Sequence, residues 1–330
     1  MKNNINISMV GLGNMGTAIA NIIAQKGINV IGWDYFKEVI DEINNKHTNS
    51  KFLTNISLSI NLFATDNLQD VIQKKDIIFI ALPSTYIKKV LTPFSKNIDE
   101  KTLIVNLSKG INEESGLTSS QIIRKIFAKN EVITLSGPSI ANEFSRGYPC
   151  GVVIAGANKD NLYKIAKIVE TDTFRVRFSE DIIGVEWSGI LKNIYAIGLG
   201  LIDGPGISSI NFKAAYITKA IEEIADLIEA LGGKRKTAYY LAGLGDLIAT
   251  SLSKHSHNRK LGELLSKGLT FDEAKNEMGV LPEGIKTLRV AVYLSEKYHI
   301  PMPVAQGILD VIEQKIKPEI LVKNFMKIGV

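Results

Sequence analysis

Three glycines constrain this chain more than any other feature. Gly11-Leu12-Gly13-Asn14-Met15-Gly16 stands where the apolar run Ile5–Val10 gives way to the amphipathic stretch Met15–Gln25. The first run reads as a strand and the second as a helix, so G-x-G-x-x-G falls at a strand-to-helix turn. There the first glycine permits a tight turn, the second lets backbone approach a pyrophosphate, and the third lets the helix pack closely. The helix N-terminus adds free N–H groups and a positive dipole end. A dinucleotide is the ligand this arrangement expects, on a doubly wound α/β sheet. Asp34 ends the next strand, Ile28–Trp33, about twenty residues on. A carboxylate there accepts hydrogen bonds from an adenosine ribose and repels a 2′-phosphate, which favours NAD over NADP; Lys37 argues the other way, and an ordinary turn Asp is the plain alternative.

The strand-helix alternation continues. Asp76–Ala81, Thr102–Asn106, Val132–Leu135, Val152–Ala155 and Phe174–Phe178 read as strands, with helical patterns such as Thr118–Phe127 and Asn161–Val169 between them. Such alternation predicts a parallel doubly wound sheet. Beyond about Asp181 strand signals stop. Helical periodicity follows over Val185–Ile202, Lys213–Leu231, Tyr239–Thr250, Asn258–Ser266, Phe271–Met278, Gly284–Tyr298 and Val304–Glu313. The expected organisation is a Rossmann-type domain over 1–180 and an all-helical domain over 181–330, and 330 residues suits two domains.

Composition narrows the function classes. With 45% hydrophobic and 22% charged residues this is an ordinary globular chain. No apolar run nears the roughly 20 residues of a membrane span. Cys150 is the single cysteine, so no intrachain disulfide forms, and a reducing cytoplasm is the expected location. The net charge of +5 is scattered without the long basic, aromatic-interleaved patch that nucleic acid requires. No His, Cys and acidic residues combine in a metal-ligand spacing. Base rates for soluble oligomers favour a homodimer.

Lys192 and Asn193 interrupt the apolar stretch Gly189–Ile202. A buried amine and amide are costly unless paired. On helical spacing Ser188, Gly189, Ala196 and Gly200 flank Lys192, which leaves room for a small molecule; a lysine snorkelling at a helix crossing explains the same pattern. Lys109, in Ser108-Lys109-Gly110, follows a strand and is placed at the carboxyl edge of the sheet, where open α/β folds bind ligands. Ser136-Gly137-Pro138-Ser139 follows the next strand, with Gly137 permitting close backbone approach. In the helical half, Ala242-Gly243-Leu244-Gly245-Asp246 breaks an apolar helix with two glycines and an acid. Asp246 suits either an amine partner or the start of a new helix. His255-Ser256-His257-Asn258-Arg259-Lys260 reads as an anion anchor or an exposed loop.

Together these blocks resemble the bacterial NAD(P)-dependent sn-glycerol-3-phosphate dehydrogenases: GLGNMGTA (Gly11–Ala18), LSKG (Leu107–Gly110), SGPS with Ala141 and Glu143 behind it, LKNIYAIG (Leu191–Gly198), AGLGDL (Ala242–Leu247) and PEG (Pro282–Gly284). The resemblance spans nearly the whole chain and implies interconversion of glycerol 3-phosphate and dihydroxyacetone phosphate by hydride transfer, feeding glycerophospholipid synthesis. It implies that Lys192 is the proton acceptor, with Lys109, Asn193 and Asp246 around the substrate. It makes Gly137 and Ser139 a substrate-binding turn, and Ser256, His257 and Asn258 a phosphate loop. Asn14, Met15, Lys109, Ala141, His257, Leu281 and Glu283 correspond to cofactor contacts, beside Gly11, Gly13, Gly16 and Asp34.

Three departures stand out. Where that family has Arg between the Ser and Asn of the loop, this chain has His257, with Arg259 two residues on as a partial substitute. His titrates near neutrality and cannot bind bidentately. Ile190 and Tyr195 are bulkier than their counterparts beside the lysine. A β-hydroxyacid dehydrogenase shares the glycine loop and a helix-borne Lys near an Asn, but AGLGDL and SGPS speak against it. A non-catalytic NAD(H) sensor is opposed by Lys109, Lys192 and Asp246 together.

Overall fold

The structure is a computed structural model that describes residues 5–203, 209–253, 256–279 and 282–327. The chain divides into two compact units. One comprises residues 1–109 and 117–182, the other residues 110–116 and 183–330. The seven-residue excursion 110–116 joins the helical unit through Ile111, which lies in its core, and through an ion pair between Glu113 and Arg289.

The first unit carries an eight-stranded sheet: β1 (Ile7–Val10), β2 (Val30–Trp33), β3 (Leu62–Thr65), β4 (Ile77–Ile80), β5 (Leu103–Asn106), β6 (Val132–Ser136), β7 (Cys150–Ala155) and β8 (Phe174–Ser179). Their spatial order is β3-β2-β1-β4-β5-β6-β7-β8. The winding reverses between β1 and β4, and the crevice at such a reversal is where open α/β sheets take ligands. Alternate residues of the central strands enter two different cores. Met9, Phe79 and Val105 pack on one face, and Val10, Ile78, Ile80 and Ile104 on the other. Strands buried on both faces read as continuous apolar runs, which is why these short segments are legible in the sequence.

β1 to β6 pair in parallel, but β7 runs antiparallel to β6 and carries β8 with it. This departs from the parallel sheet that the alternation predicts at the β6–β7 pair. A parallel return needs a crossover, usually a full helix. The segment between β6 and β7 holds only the single turn α6 (Ala141–Phe144, the sixth helix of the chain), so the strand comes straight back.

The flanking helices are α1 (Asn14–Gln25), α2 (Lys37–Lys46), α3 (Leu68–Ile72), α4 (Ser84–Leu91), α5 (Ser119–Ile126) and α7 (Lys159–Val169). The helical unit contains α8 (Ile182–Ile202), α9 (Ile210–Ala230), α10 (Asp246–Leu252), α11 (His257–Ser266), α12 (Phe271–Met278), α13 (Glu283–Tyr298), α14 (Pro303–Ile312) and α15 (Pro318–Phe325). α8 is buried along nearly its whole length and forms the axis of this unit. The single helix predicted over Tyr239–Thr250 is instead a 3₁₀ turn (Arg235–Tyr239), one π turn (Leu241–Gly245) and α10. Gly243 causes the break: a Cβ there would lie 2.0 Å from the Ala238 carbonyl oxygen, so only glycine lets the chain fold back so tightly. Among the described residues no helix is long and apolar enough to cross a membrane.

Candidate active site

In the first unit the glycine loop has the shape its spacing implies. Gly11 adopts φ +99°, and a Cβ on it would sit 2.7 Å from the Ala81 carbonyl oxygen on the neighbouring chain segment after β4. A Cβ on Gly16 would lie 1.9 Å from the Gly11 carbonyl oxygen. Gly13 faces open space instead, and no side chain caps the N-terminus of α1 that it starts. Two glycines are therefore required by packing, while the middle one leaves backbone open to a ligand. This cradle fits a pyrophosphate.

The loop is tethered from outside. Asp34 is buried, its Oδ2 accepts from the Leu12 amide at 2.8 Å and its Oδ1 from the Phe36 amide at 3.0 Å. So the carboxylate at the end of β2 holds the loop in place. The buried Asn49 donates through Nδ2 to the Leu12 carbonyl and to Thr17 Oγ1, both at 2.9 Å. Asn14 donates to the Phe52 carbonyl at 2.5 Å, and Met15 packs against the sheet core. Asn49 carries no signal in the sequence, because the contact spans 32 and 37 residues and has no motif.

On the same unit, Lys109 Nζ donates to the Gly137 carbonyl at 3.0 Å, and Ser139 Oγ donates to that same carbonyl at 2.9 Å. Gly137 sits at φ +121°, pressed to within 3.3 Å of the Val152 backbone if given a Cβ. Lys109, Gly137 and Ser139 thus come together at the ends of β5 and β6. Ala141 is buried behind them at the start of α6.

In the second unit the amine of Lys192 is paired. Its Nζ lies 2.5 Å from Asp246 Oδ1 and 2.6 Å from Thr250 Oγ1, and only 8% of the lysine and 2% of the aspartate are exposed. Asp246 opens α10 without capping it; the carboxylate crosses to α8 instead. Thr250, one helical turn along α10, escapes the sequence reading, although its i+4 spacing from Asp246 places it on the same face. Asn193 Oδ1 accepts from Asn258 Nδ2 at 3.1 Å, and Asn258 Oδ1 accepts from the Gly284 amide at 3.0 Å. A Cβ on Gly284 would strike Asn258 Oδ1 at 2.5 Å and the Asn193 carbonyl at 2.8 Å. That close approach is why a glycine follows Glu283 at the start of α13.

The chain matches the profile described as NAD-dependent glycerol-3-phosphate dehydrogenase N-terminus over residues 6–162, and the corresponding C-terminus profile over residues 181–323. It is 35% identical over 320 residues to glycerol-3-phosphate dehydrogenase [NAD(P)+] of Clostridium botulinum, covering 97% of this chain and 96% of that one. Identity to the enzyme of the same name from Fusobacterium nucleatum is 38% over 306 residues, covering 92% and 91%. The chain belongs to the NAD-dependent glycerol-3-phosphate dehydrogenase family. The crystal structure of glycerol-3-phosphate dehydrogenase from Coxiella burnetii superposes with a TM-score of 0.90 at 31% identity, covering 98% of both chains.

Within this family frame the structure revises several details. Helical spacing offers Gly200 as room beside the amine, but a Cβ there would lie 2.1 Å from the Arg259 carbonyl oxygen, and one on Gly262 would lie 2.0 Å from that of Ile197. These two glycines let α8 and α11 touch backbone to backbone. The bulk of Tyr195 is directed into the core: the ring is fully buried and its hydroxyl donates to Glu223 Oε2 at 2.9 Å. Ile190 is likewise fully buried. Arg259 does not replace the missing loop arginine. Its guanidinium donates to Asp203 at 2.6 Å and to the Ser251 carbonyl at 2.7 Å, which fastens α11 to the end of α8. Ser256 caps α11 by accepting from the Arg259 amide, and His257 is exposed at the first position of that helix. Glu283 opens α13. Leu281 lies outside the described residues.

Proposed function

We propose that the chain interconverts sn-glycerol 3-phosphate and dihydroxyacetone phosphate, with Lys192 as the general acid/base. The observation that supports this reading most is the buried Lys192–Asp246 pair, joined by Thr250 and adjacent in sequence to Asn193. A bound nicotinamide dinucleotide would supply or take the hydride. Gly11, Gly13, Asn14, Met15 and Gly16 would hold its pyrophosphate at the start of α1, with Lys109, Ala141, His257, Leu281 and Glu283 as further contacts. Lys192 would take the hydroxyl proton in oxidation and return it in reduction, while Asp246 and Thr250 fix the direction of its amine. Lys109 with the Gly137–Ser139 turn in the first unit, and Asn193 in the second, would contact the substrate's oxygens. Ser256, His257 and Asn258 would meet its phosphate.

NAD is the preferred carrier on this reading, because Asp34 is held by two backbone amides and sets a fixed negative charge where a 2′-phosphate would come. The product supports glycerophospholipid synthesis, and a chain with one cysteine suits the cytoplasm. The test is NADH absorbance with dihydroxyacetone phosphate, with β-keto acids and with neither, repeated with NADPH. Oxidation dependent on dihydroxyacetone phosphate, faster with NADH, is expected. Turnover of β-keto acids instead would replace this function, and an NADPH preference would overturn the role given to Asp34.

A further inference from the structure

We propose that Asn258 is a positioning residue that sets the polarity of Asn193, so that Asn193 presents a hydrogen-bond donor and not an acceptor to the substrate. The inference rests on the reading of Asn193 as a substrate contact. Its geometry is a relay of three groups on three helices. The Gly284 amide on α13 points at Asn258 from 3.0 Å. A backbone N–H can only donate, so the Asn258 atom it meets must be the oxygen. The other end of that amide is then necessarily NH₂, and it lies 3.1 Å from Asn193. An NH₂ can only donate in turn, so Asn193 must answer with Oδ1. The end of Asn193 directed away from Asn258 is therefore the Nδ2 donor.

Rotation of either amide would bring two donors or two acceptors face to face, at a site where Asn193 is 8% exposed and Asn258 half-buried. The backbone of α13 thereby fixes, through Asn258, what the residue beside Lys192 offers. A donor suits the oxygens of a hydroxyketone phosphate, all of which accept.

The test compares Asn258→Asp and Asn258→Ala, alone and in an Asn193→Ala background. In Asn258→Asp the new carboxylate accepts from the Gly284 amide as before but has nothing to donate, so Asn193 turns to donate to it and presents its oxygen outward. Asn258→Ala leaves Asn193 able to take either orientation. The relay predicts kcat/KM for dihydroxyacetone phosphate falling about 50-fold in Asn258→Asp and less in Asn258→Ala. Melting temperature should run in the opposite order, since the Asp variant still satisfies the Gly284 amide and the Ala variant leaves it unpaired. NADH affinity should hold in both.

A purely structural role would place activity and stability in the same order, and would overturn the proposal. The charge that Asn258→Asp adds near an anionic substrate is isolated by the double variant. If Asn258→Asp costs the same factor in the Asn193→Ala background, repulsion or a lost phosphate contact explains all of it and the relay is wrong; the relay predicts that this cost shrinks by about tenfold, leaving only the direct effect on the phosphate. Wild-type protein that fails to turn over dihydroxyacetone phosphate would overturn the underlying function instead, so the two failures are distinguishable.

Discussion

At the scale of single residues, the chain shows how an unfavourable side chain becomes informative. On sequence alone, Lys192 in an apolar helix is divided between packing and chemistry. The structure shows a paired amine, because Asp246 and Thr250 arrive from 54 and 58 residues away. Asp246 is legible since an acid beside two glycines is unusual; Thr250 and Asn49 are not, since threonine and asparagine occur everywhere and only tertiary contacts select these two. His257 belongs to this scale as well. With Arg259 held by Asp203, the described part of the loop offers an anion no permanent fork. His257→Arg is expected to lower KM for dihydroxyacetone phosphate by about tenfold at about pH 8, the worth of a charge-assisted bidentate contact. An unchanged KM would show that phosphate is held elsewhere.

At the scale of elements, the strand-helix pattern is legible wherever burial on both faces produces an apolar run. It fails at β3, whose Phe63 is half exposed on an edge strand, and at the reversal of β7, which depends on a connector too short for a crossover. The glycine loop is legible as a motif, but only its folded geometry separates the three glycines. Gly16→Ala should disrupt the loop and lower the melting temperature, because its Cβ would overlap the Gly11 carbonyl. Gly13→Ala should cost much less melting temperature than Gly16→Ala and still weaken NADH at least tenfold, since its Cβ meets nothing in the protein but crowds the backbone left open to a pyrophosphate. Calorimetry and NADH fluorescence titration on both variants check this. Equal thermal loss in the two would contradict it.

At the scale of the whole molecule, two units with separate cores share one chain, and the seven residues 110–116 that pack with the helical unit leave no trace in the hydrophobic pattern. The helical unit also carries a pH dependence. Glu223 is fully buried and accepts from Tyr195 and from the Val304 and Ala305 amides at the start of α14. Burial raises its carboxyl from 4.5 to about 7, an effect those hydrogen bonds only partly offset. Between about pH 4.5 and 7 the folded chain therefore holds a proton that the unfolded chain releases. Stability contributed by this group is full below that window and declines as pH rises through it, by up to about 3 kcal/mol. Urea unfolding from about pH 5 to about pH 8 should show this decline in the wild type and not in Glu223→Gln. The same slope in both would assign it to other groups.

The central claim is that a lysine buried in the helical unit moves the proton for a hydride transfer. It is tested most directly by NADH oxidation with saturating dihydroxyacetone phosphate in the wild type and in Lys192→Ala, with the NADH dissociation constant measured on the same preparations. The account predicts a fall in kcat of about 10³-fold with NADH binding unchanged within about a factor of two. A variant that turns over at the wild-type rate would contradict it.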